Sequence, residues 1–172
     1  MRTTRSDACV ISIPGERYTP FALAKKFNAL AILESASFTH GRARYSIILL
    51  QEAFRVRQEG DSVILTIDGK EIHHSKKDIL EVLVGIASQN ALPPDGIPLP
   101  GAGIGYLGYE YCQRCDTIDL KDQPDTIGIP DAEFIIGHIY LVFDHFTDNI
   151  HIFGLNYEEH VIDLHTSIAD IR

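Results

Sequence analysis

One stretch of the chain has the spacing of a known phosphate-binding site. Residues 103–108 match G-x-G-x-x-G, whose glycines let the N-terminus of a helix approach a pyrophosphate. A dinucleotide fold needs an apolar strand before the first glycine, whereas four prolines fall between positions 93 and 100 here. We therefore expect a strand whose glycines admit a neighbouring backbone, not a nucleotide site.

A second spacing suggests thiol or metal chemistry. Cys112 and Cys115 form a C-x-x-C pattern, which serves thiol redox couples and half-sites for zinc. The other half of such a zinc site is missing, because Cys9 is distant in sequence and the histidines show no chelating i, i+4 pair. We expect free thiols, mostly solvated histidines and no metal ligand in this chain.

The third candidate site consists of Leu33, Glu34 and Ser35, at the end of a short apolar run. The carboxylate can pair with an ammonium group, the hydroxyl can hydrogen-bond a polar group, and apolar neighbours can take a side chain. These groups suit an α-amino acid. The alternative is an ordinary strand end with a solvated glutamate and a serine that starts a turn. No G-x-S-x-G, H-E-x-x-H, P-loop or EF-hand pattern occurs, so we expect no catalytic residue here.

The composition is that of a soluble domain with one core. The chain has 172 residues, of which 45% are hydrophobic and 23% charged, and we interpret residues 1–172 as a single domain. A net charge of −9 disfavours binding to nucleic acid. Neither a membrane-spanning run nor a secretory signal is present, and three cysteines fit a reducing compartment, so we expect a cytoplasmic protein.

The elements that must position these residues are mainly strands. Alternating and β-branched runs, with turns at Pro14, Asp68-Gly69 and Asp148-Asn149, predict strands over residues 9–13, 29–34, 44–50, 53–58, 62–67, 70–73, 102–110, 133–144 and 150–153. Two or three helices interrupt them. The sequence therefore predicts an α+β fold with a largely antiparallel β-sheet.

Helix starts are marked by capping residues. Thr19 before Pro20 starts the first helix, and capping boxes begin the others at Ser75 and Asn156. The helix after Ser75 is apolar nearly all round, so we expect it to be covered on more than one side. The last helix carries an apolar stripe and stops at Arg172 without a cap, from which we expect a longer protein.

Several segments, in this order, resemble the N-terminal region of anthranilate synthase component I and of its relative, aminodeoxychorismate synthase component I. Residues 31–36 (AILESA) and 44–46 (RYS) resemble the leucine-glutamate-serine element and the R-Y-S strand behind it. Residues 100–110 resemble the glycine-rich G-Y-L-G-Y-[DE] strand. Residues 130–134 (PDAEF) and 141–145 (LVFDH) resemble the P-D-x-x-F and [VI]-x-D-H elements.

The resemblance implies an enzyme part. Family members convert chorismate to an aminated product with ammonia from a glutamine amidotransferase partner and with Mg²⁺, and anthranilate synthase also releases pyruvate, as a lyase. Their chorismate-binding and magnesium-binding residues lie in a C-terminal region that is absent from this chain, which would bind no cofactor itself. In tryptophan-regulated members the leucine-glutamate-serine element helps bind tryptophan as feedback inhibitor, which implies this role for Leu33, Glu34 and Ser35.

Two alternatives stay open at this point. The first is the N-terminal domain of the aminodeoxychorismate relative of folate synthesis, which the short proline-rich connection before residue 100 resembles. The usual G-R-Y-S has extra residues here between Gly41 and Tyr45, so the resemblance implies no contacts for this loop. The other alternative is a stand-alone amino-acid-binding domain of the same fold, without a catalytic half.

Overall fold

The structure of the chain, a computed structural model, describes residues 8–15, 17–34, 44–90, 96–116, 120–121 and 128–171. These residues form eight strands: β1 (Ala8–Pro14), β2 (Ala31–Leu33), β3 (Tyr45–Glu59), β4 (Ser62–Ile67), β5 (Lys70–Ser75), β6 (Ile104–Leu107), β7 (Ala132–Asp144) and β8 (Asn149–Leu155). The helices are α1 (Pro20–Lys26), α2 (Ile79–Ala87), α3 (Cys112–Cys115) and α4 (Leu164–Ala169), and a 3₁₀ turn (Tyr109–Tyr111) precedes α3.

All these strands join one antiparallel sheet, whose main order is β1-β8-β7-β3-β4-β5. β2 pairs with the first part of β3, on the edge that β4 occupies further along. β6 pairs with the first part of β7, on the edge that β8 occupies further along. The α+β class with an antiparallel sheet is confirmed. The helix beyond the expected two or three is α3, a single turn of four residues that the sequence pattern does not signal.

Apolar side chains cover both faces of the sheet. α2 packs on one face of the sheet through Ile79, Leu83 and Ile86, and we call this face the α2 face. α1 and α4 pack on the opposite face through Leu23, Leu164 and Ile168, and we call this face the α1/α4 face. Val84, on the outer side of α2, is 70% exposed in the described part of the chain, so the expected cover on a second side is not supplied there. None of the helices in the described residues is long and apolar enough to cross a bilayer.

β3 is one strand of 15 residues, where the sequence predicted two. Its pairing with β7 shifts register between Leu49 and Phe54. Both of these side chains belong to the core of the α2 face although their numbers differ in parity, so the alternation changes phase across the irregularity. The polar residues Gln51 and Glu52, which suggested a gap between strands, lie within this irregularity.

The helix caps agree with the sequence at one helix and differ at two. The Thr19 hydroxyl accepts the Ala22 N–H at 3.2 Å, with Pro20 in the first turn, as predicted. α2 is capped by Asp78 instead of Ser75, and its carboxylate accepts the Leu80 N–H at 2.8 Å. α4 is capped by Asp163 instead of Asn156, so the expected helix begins seven residues later, at Leu164. In both cases an aspartate directly before the apolar residues is the better placed acceptor.

The glycines of residues 103–108 serve packing. A Cβ at Gly105 would lie 2.6 Å from Cα of Phe134 and would collide with the carbonyl oxygen of Glu133. Gly103 has a φ of +79° and meets the backbone of Ile135 in the same way. β6 can therefore pair with β7 only because these positions lack side chains. The expectation of a strand whose glycines admit a neighbouring backbone is confirmed, over a shorter range than predicted.

We predict that Gly105→Ala lowers the free energy of unfolding by roughly 1–3 kcal/mol, because the methyl group has no room against β7. Gly85→Ala is the matched control, since a Cβ at Gly85 in α2 meets nothing within 4 Å. Replacing a helical glycine by alanine should raise stability by about 0.5–1 kcal/mol. Urea unfolding of both variants measures the difference, and equal stability of the two would contradict the packing role.

Candidate functional site

Three strand ends meet at one end of the sheet and bring distant segments together. β2 ends at Leu33, which pairs with Ile47 near the start of β3. On the other edge of β3, Tyr45 pairs with Asp144, the last residue of β7. The segments around Leu33-Glu34, residues 44–46 and residues 144–145 therefore lie on adjacent strands. We call this group the strand-end cluster.

Leu33 and Glu34 lie at the surface of the cluster. Leu33 is 50% exposed, on the same face as the partly buried Ile47, and Glu34 is exposed beyond the last pair of β2. The sequence placed both at the end of an apolar strand, and the structure confirms that position. Ser35 lies outside the described residues. The binding role of Leu33, Glu34 and Ser35 stays a prediction.

An ion pair ties the start of β3 to the end of β7. Nε of Arg44 donates to Oδ1 of Asp144 at 3.0 Å, and the second nitrogen Nη2 donates to Oδ2 at 2.7 Å. The Asp144 side chain is 3% exposed and also accepts the Phe146 N–H at 3.1 Å. Hydrogen bonds from Arg44 are the main cause that lowers the pKa of Asp144 to about 2. The two-pronged geometry fixes both side chains, so Arg44 is oriented as well as neutralised.

The Arg44 guanidinium also lies over two aromatic rings. Its central carbon is 4.8 Å from the centroid of Tyr45 and 5.6 Å from that of Phe146. Arginine stacks well on such rings because its charge is spread over a plane. These contacts further hold the arginine against the sheet.

A histidine and a serine make the second link between β3 and β7. The Oγ of Ser46 is 2.8 Å from Nε2 of His145, and Ser46 itself is 1% exposed. The imidazole of His145 stacks on Phe143, with ring centroids 6.2 Å apart and an interplanar angle of 24°. The ring is therefore oriented from two sides although His145 is an exposed residue. Sequence reasoning from residue types missed this pair, because no local spacing connects residues 99 positions apart.

The other sequence candidates lie elsewhere. Residues 103–108 flank the opposite end of β7, and only a 3₁₀ turn and the four-residue α3 follow them, which is not the long helix of a dinucleotide site. Cys9, Cys112 and Cys115 are free thiols, as expected. Among the described residues, no group of three or more metal-ligating side chains could hold an ion.

Two buried histidines depart from the expectation that histidines are mostly solvated. His138 is fully buried and His151 is 7% exposed. Nδ1 of His138 donates to the Leu155 carbonyl at 2.7 Å, so its Nε2 accepts from Nδ1 of His160, also at 2.7 Å. Burial lowers the pKa of His138, which keeps this ring neutral. The hydrogen bond between His138 and His160 anchors the loop before α4 to the sheet.

A groove of about 720 Å³ runs along α2, away from the strand-end cluster. Leu65, Val82 and Ile86 contribute apolar surface to it, and Glu158 and Glu159 lie on its rim. Gln89 donates to both oxygens of Glu159, at 3.1 and 2.9 Å, which ties this rim to the end of α2. These hydrogen bonds hold the loop between β8 and α4 against the end of α2. No residue of the strand-end cluster lines the groove.

Comparison with known proteins gives a consistent result. The chain is 48% identical over 163 residues to anthranilate synthase component 1 of Spirochaeta aurantia, a match that covers 93% of this chain and 34% of that protein. It is 28% identical over 145 residues to anthranilate synthase component 1 of Acetivibrio thermocellus, covering 78% and 28% respectively. The chain thus spans about a third of the length of the curated relatives it matches. No protein-family model matches it.

The fold comparison agrees with the sequence comparison. The solved structure of anthranilate synthase component I from Streptococcus pneumoniae TIGR4 superposes with a TM-score of 0.57 at 26% identity. The match covers 92% of this chain and 35% of that one.

We predict that Asp144→Asn lowers stability near neutral pH by at most about 2 kcal/mol, because Arg44 is 41% exposed and solvent screens the pair. The folded state depresses the pKa of Asp144, so its contribution is present above the ordinary value of 3.8 and is lost as the pH falls toward about 2. The stability difference between wild type and variant should therefore shrink over that interval. Urea unfolding at several pH values measures it, with Asp61→Asn, at a 92% exposed position, as control.

Proposed function

Because this chain is a homologue of anthranilate synthase component 1 over 93% of its length, we propose that it forms the N-terminal domain of such an enzyme. The complete enzyme would make anthranilate and pyruvate from chorismate, with ammonia released from glutamine by an amidotransferase partner. The observation that carries this proposal is the 48% identity to the Spirochaeta aurantia protein. The strand-end cluster supports it, since three of the segments that resemble family elements, around Leu33-Glu34, residues 44–46 and residues 144–145, lie on adjacent strands there.

Within that enzyme, the role of this domain is structural and regulatory. The strand-end cluster is tied together by an ion pair and a serine–histidine contact that hold strands in register. The family's Mg²⁺ is assigned no ligand here, because the described residues do not form a site for it. Chorismate and Mg²⁺ would bind to the part of the enzyme that corresponds to the remaining two thirds of the relatives.

The regulatory ligand we propose is L-tryptophan, bound at Leu33, Glu34 and Ser35. Glu34 is exposed at the end of β2 and can face the ligand ammonium. Leu33 offers apolar surface that is half exposed. A feedback inhibitor must bind one state of the enzyme better than the other. An exposed strand end is a position where the rest of the enzyme could contribute to such a difference.

We expect the complete product of this gene, supplied with chorismate, ammonia and Mg²⁺, to form anthranilate. The product is identified by its mass and fluorescence. Formation of aminodeoxychorismate instead would assign the chain to the folate relative, and no turnover by a complete and folded protein would favour a binding domain.

We expect Glu34→Gln and Ser35→Phe to raise the tryptophan concentration needed for half-inhibition. Glu34→Gln removes the charge that pairs with the ammonium, a loss of about 1.5–3 kcal/mol, or roughly tenfold or more in affinity. Each variant is compared with its own uninhibited rate. Glu81→Gln, an exposed change on α2, is the matched control and should leave inhibition as in the wild type. Unchanged inhibition in both test variants would reject the assignment of the site.

A further inference from the structure

The C-x-x-C pattern of the sequence falls on a single turn of helix. α3 consists of Cys112, Cys115 and the two residues between them. The Asp116 N–H donates to the Cys112 carbonyl at 3.0 Å, which closes this turn as an α-helical one. Residues three apart in a helix are neighbours on one side of its surface, so both thiols lie on the same side of α3. The proposed function uses neither of them.

The two cysteines differ in exposure. Cys115 is exposed, and Cys112 is half-buried. A small molecule in solution therefore reaches the thiol of Cys115 first, whereas Cys112 lies behind it, where it can attack whatever has become attached to Cys115. Reactive thiol pairs need this combination of one accessible sulfur and one neighbouring sulfur.

Two contacts anchor α3 to the rest of the fold. The hydroxyl of Tyr111, directly before α3, donates to Oδ1 of Asp78, the residue that caps α2. Nη2 of Arg114 donates to the carbonyl of Gly60 in the turn between β3 and β4, and it lies 3.6 Å from Oδ1 of Asp61. Because the turn is anchored, each thiol meets the other at a high effective concentration.

A bond between the two sulfurs requires the turn to tighten. Cβ atoms three residues apart in an α-helix are about 5–6 Å apart, whereas a disulfide needs about 3.5–4.5 Å. In a 3₁₀ turn the same two residues are eclipsed, and the 3₁₀ turn Tyr109–Tyr111 already leads into α3. Continuing the 3₁₀ turn through Cys115 brings the sulfurs within reach but breaks the α-helical hydrogen bond of Asp116. A disulfide formed at that cost is easily reduced again.

We propose that Cys112 and Cys115 form a reversible redox site, which a low-molecular-weight disulfide such as glutathione disulfide oxidises to an intramolecular disulfide. The Cys115 thiolate attacks one sulfur of glutathione disulfide, which forms a mixed disulfide and releases one glutathione. The Cys112 thiolate then attacks the Cys115 sulfur and releases the second glutathione. The two cysteines together lose two electrons and two protons, and glutathione disulfide gains them to become two thiols. This site lies outside the strand-end cluster and is independent of the proposed function.

The complete gene product, equilibrated in buffers with different ratios of glutathione to glutathione disulfide, tests the proposal. Free thiols are then blocked with an alkylating agent, and the protein is digested and weighed by mass spectrometry. Trypsin cleaves after Arg114, between the two cysteines, so a disulfide leaves the peptides 78–114 and 115–121 joined. We expect this linked pair to accumulate as the buffer becomes more oxidising and to disappear when the same sample is returned to excess glutathione.

Serine variants of single cysteines are the controls, and urea unfolding shows that each has folded. Cys9→Ser should oxidise like the wild type, because burial raises the pKa of the Cys9 thiol and keeps it protonated. Cys115→Ser should lose the linked pair and carry at most one glutathione on Cys112. Separate glutathione adducts on both cysteines without a link would overturn the proposal. So would free thiols at both positions in glutathione disulfide alone, or a linked pair that persists in excess glutathione.

Discussion

The antiparallel pairing of β3 with β7 is the constraint on which the rest of the structure depends. It runs from Tyr45 opposite Asp144 to Gln58 opposite Ala132. β2, β4, β6 and β8 pair directly with one of these two strands, and the edge strands β1 and β5 attach through β8 and β4. Because side chains alternate between faces, a slip of one residue would invert every contact of both cores. The same register brings Arg44 to Asp144 and Ser46 to His145. The candidate site is thus a direct product of the pairing that builds the core.

The irregularity in β3 shows that strict alternation of apolar and polar residues does not describe this strand along its whole length. With an uninterrupted pleat, Leu49 and Phe54 would lie on opposite faces, yet both are buried with α2. The shift between them lets one strand serve the α2 face with odd positions first and even positions afterwards. A simple alternating pattern cannot encode this change, which is why the sequence predicted two shorter strands. The turns at Asp68-Gly69 and Asp148-Asn149, by contrast, depend on local conformational preferences and were predicted correctly.

The sequence likewise predicted the local features of the candidate site but not its long-range contacts. The position of Leu33 and Glu34 at a strand end follows from a short apolar run and the polar residues after it. The ion pair of Arg44 with Asp144 joins residues 100 positions apart, and no local spacing reveals such a contact. The resemblance to known sequences marked both segments but gave no reason for them to meet. The capping aspartates Asp78 and Asp163 were missed for a different reason, since capping boxes upstream offered a competing acceptor.

The charges of the strand-end cluster also fit its position on an acidic protein. The chain has a net charge of −9, so an anionic ligand approaches against the overall field. Arg44 and Asp144 cancel each other and stay fixed, which leaves Glu34 as an exposed charge and His145 as an exposed donor at the same strand ends. A zwitterion carries no net charge, so it avoids the repulsion that a free carboxylic acid would meet, and its ammonium gains from the surrounding acidity. The electrostatics of this surface are therefore compatible with the zwitterionic ligand that we propose.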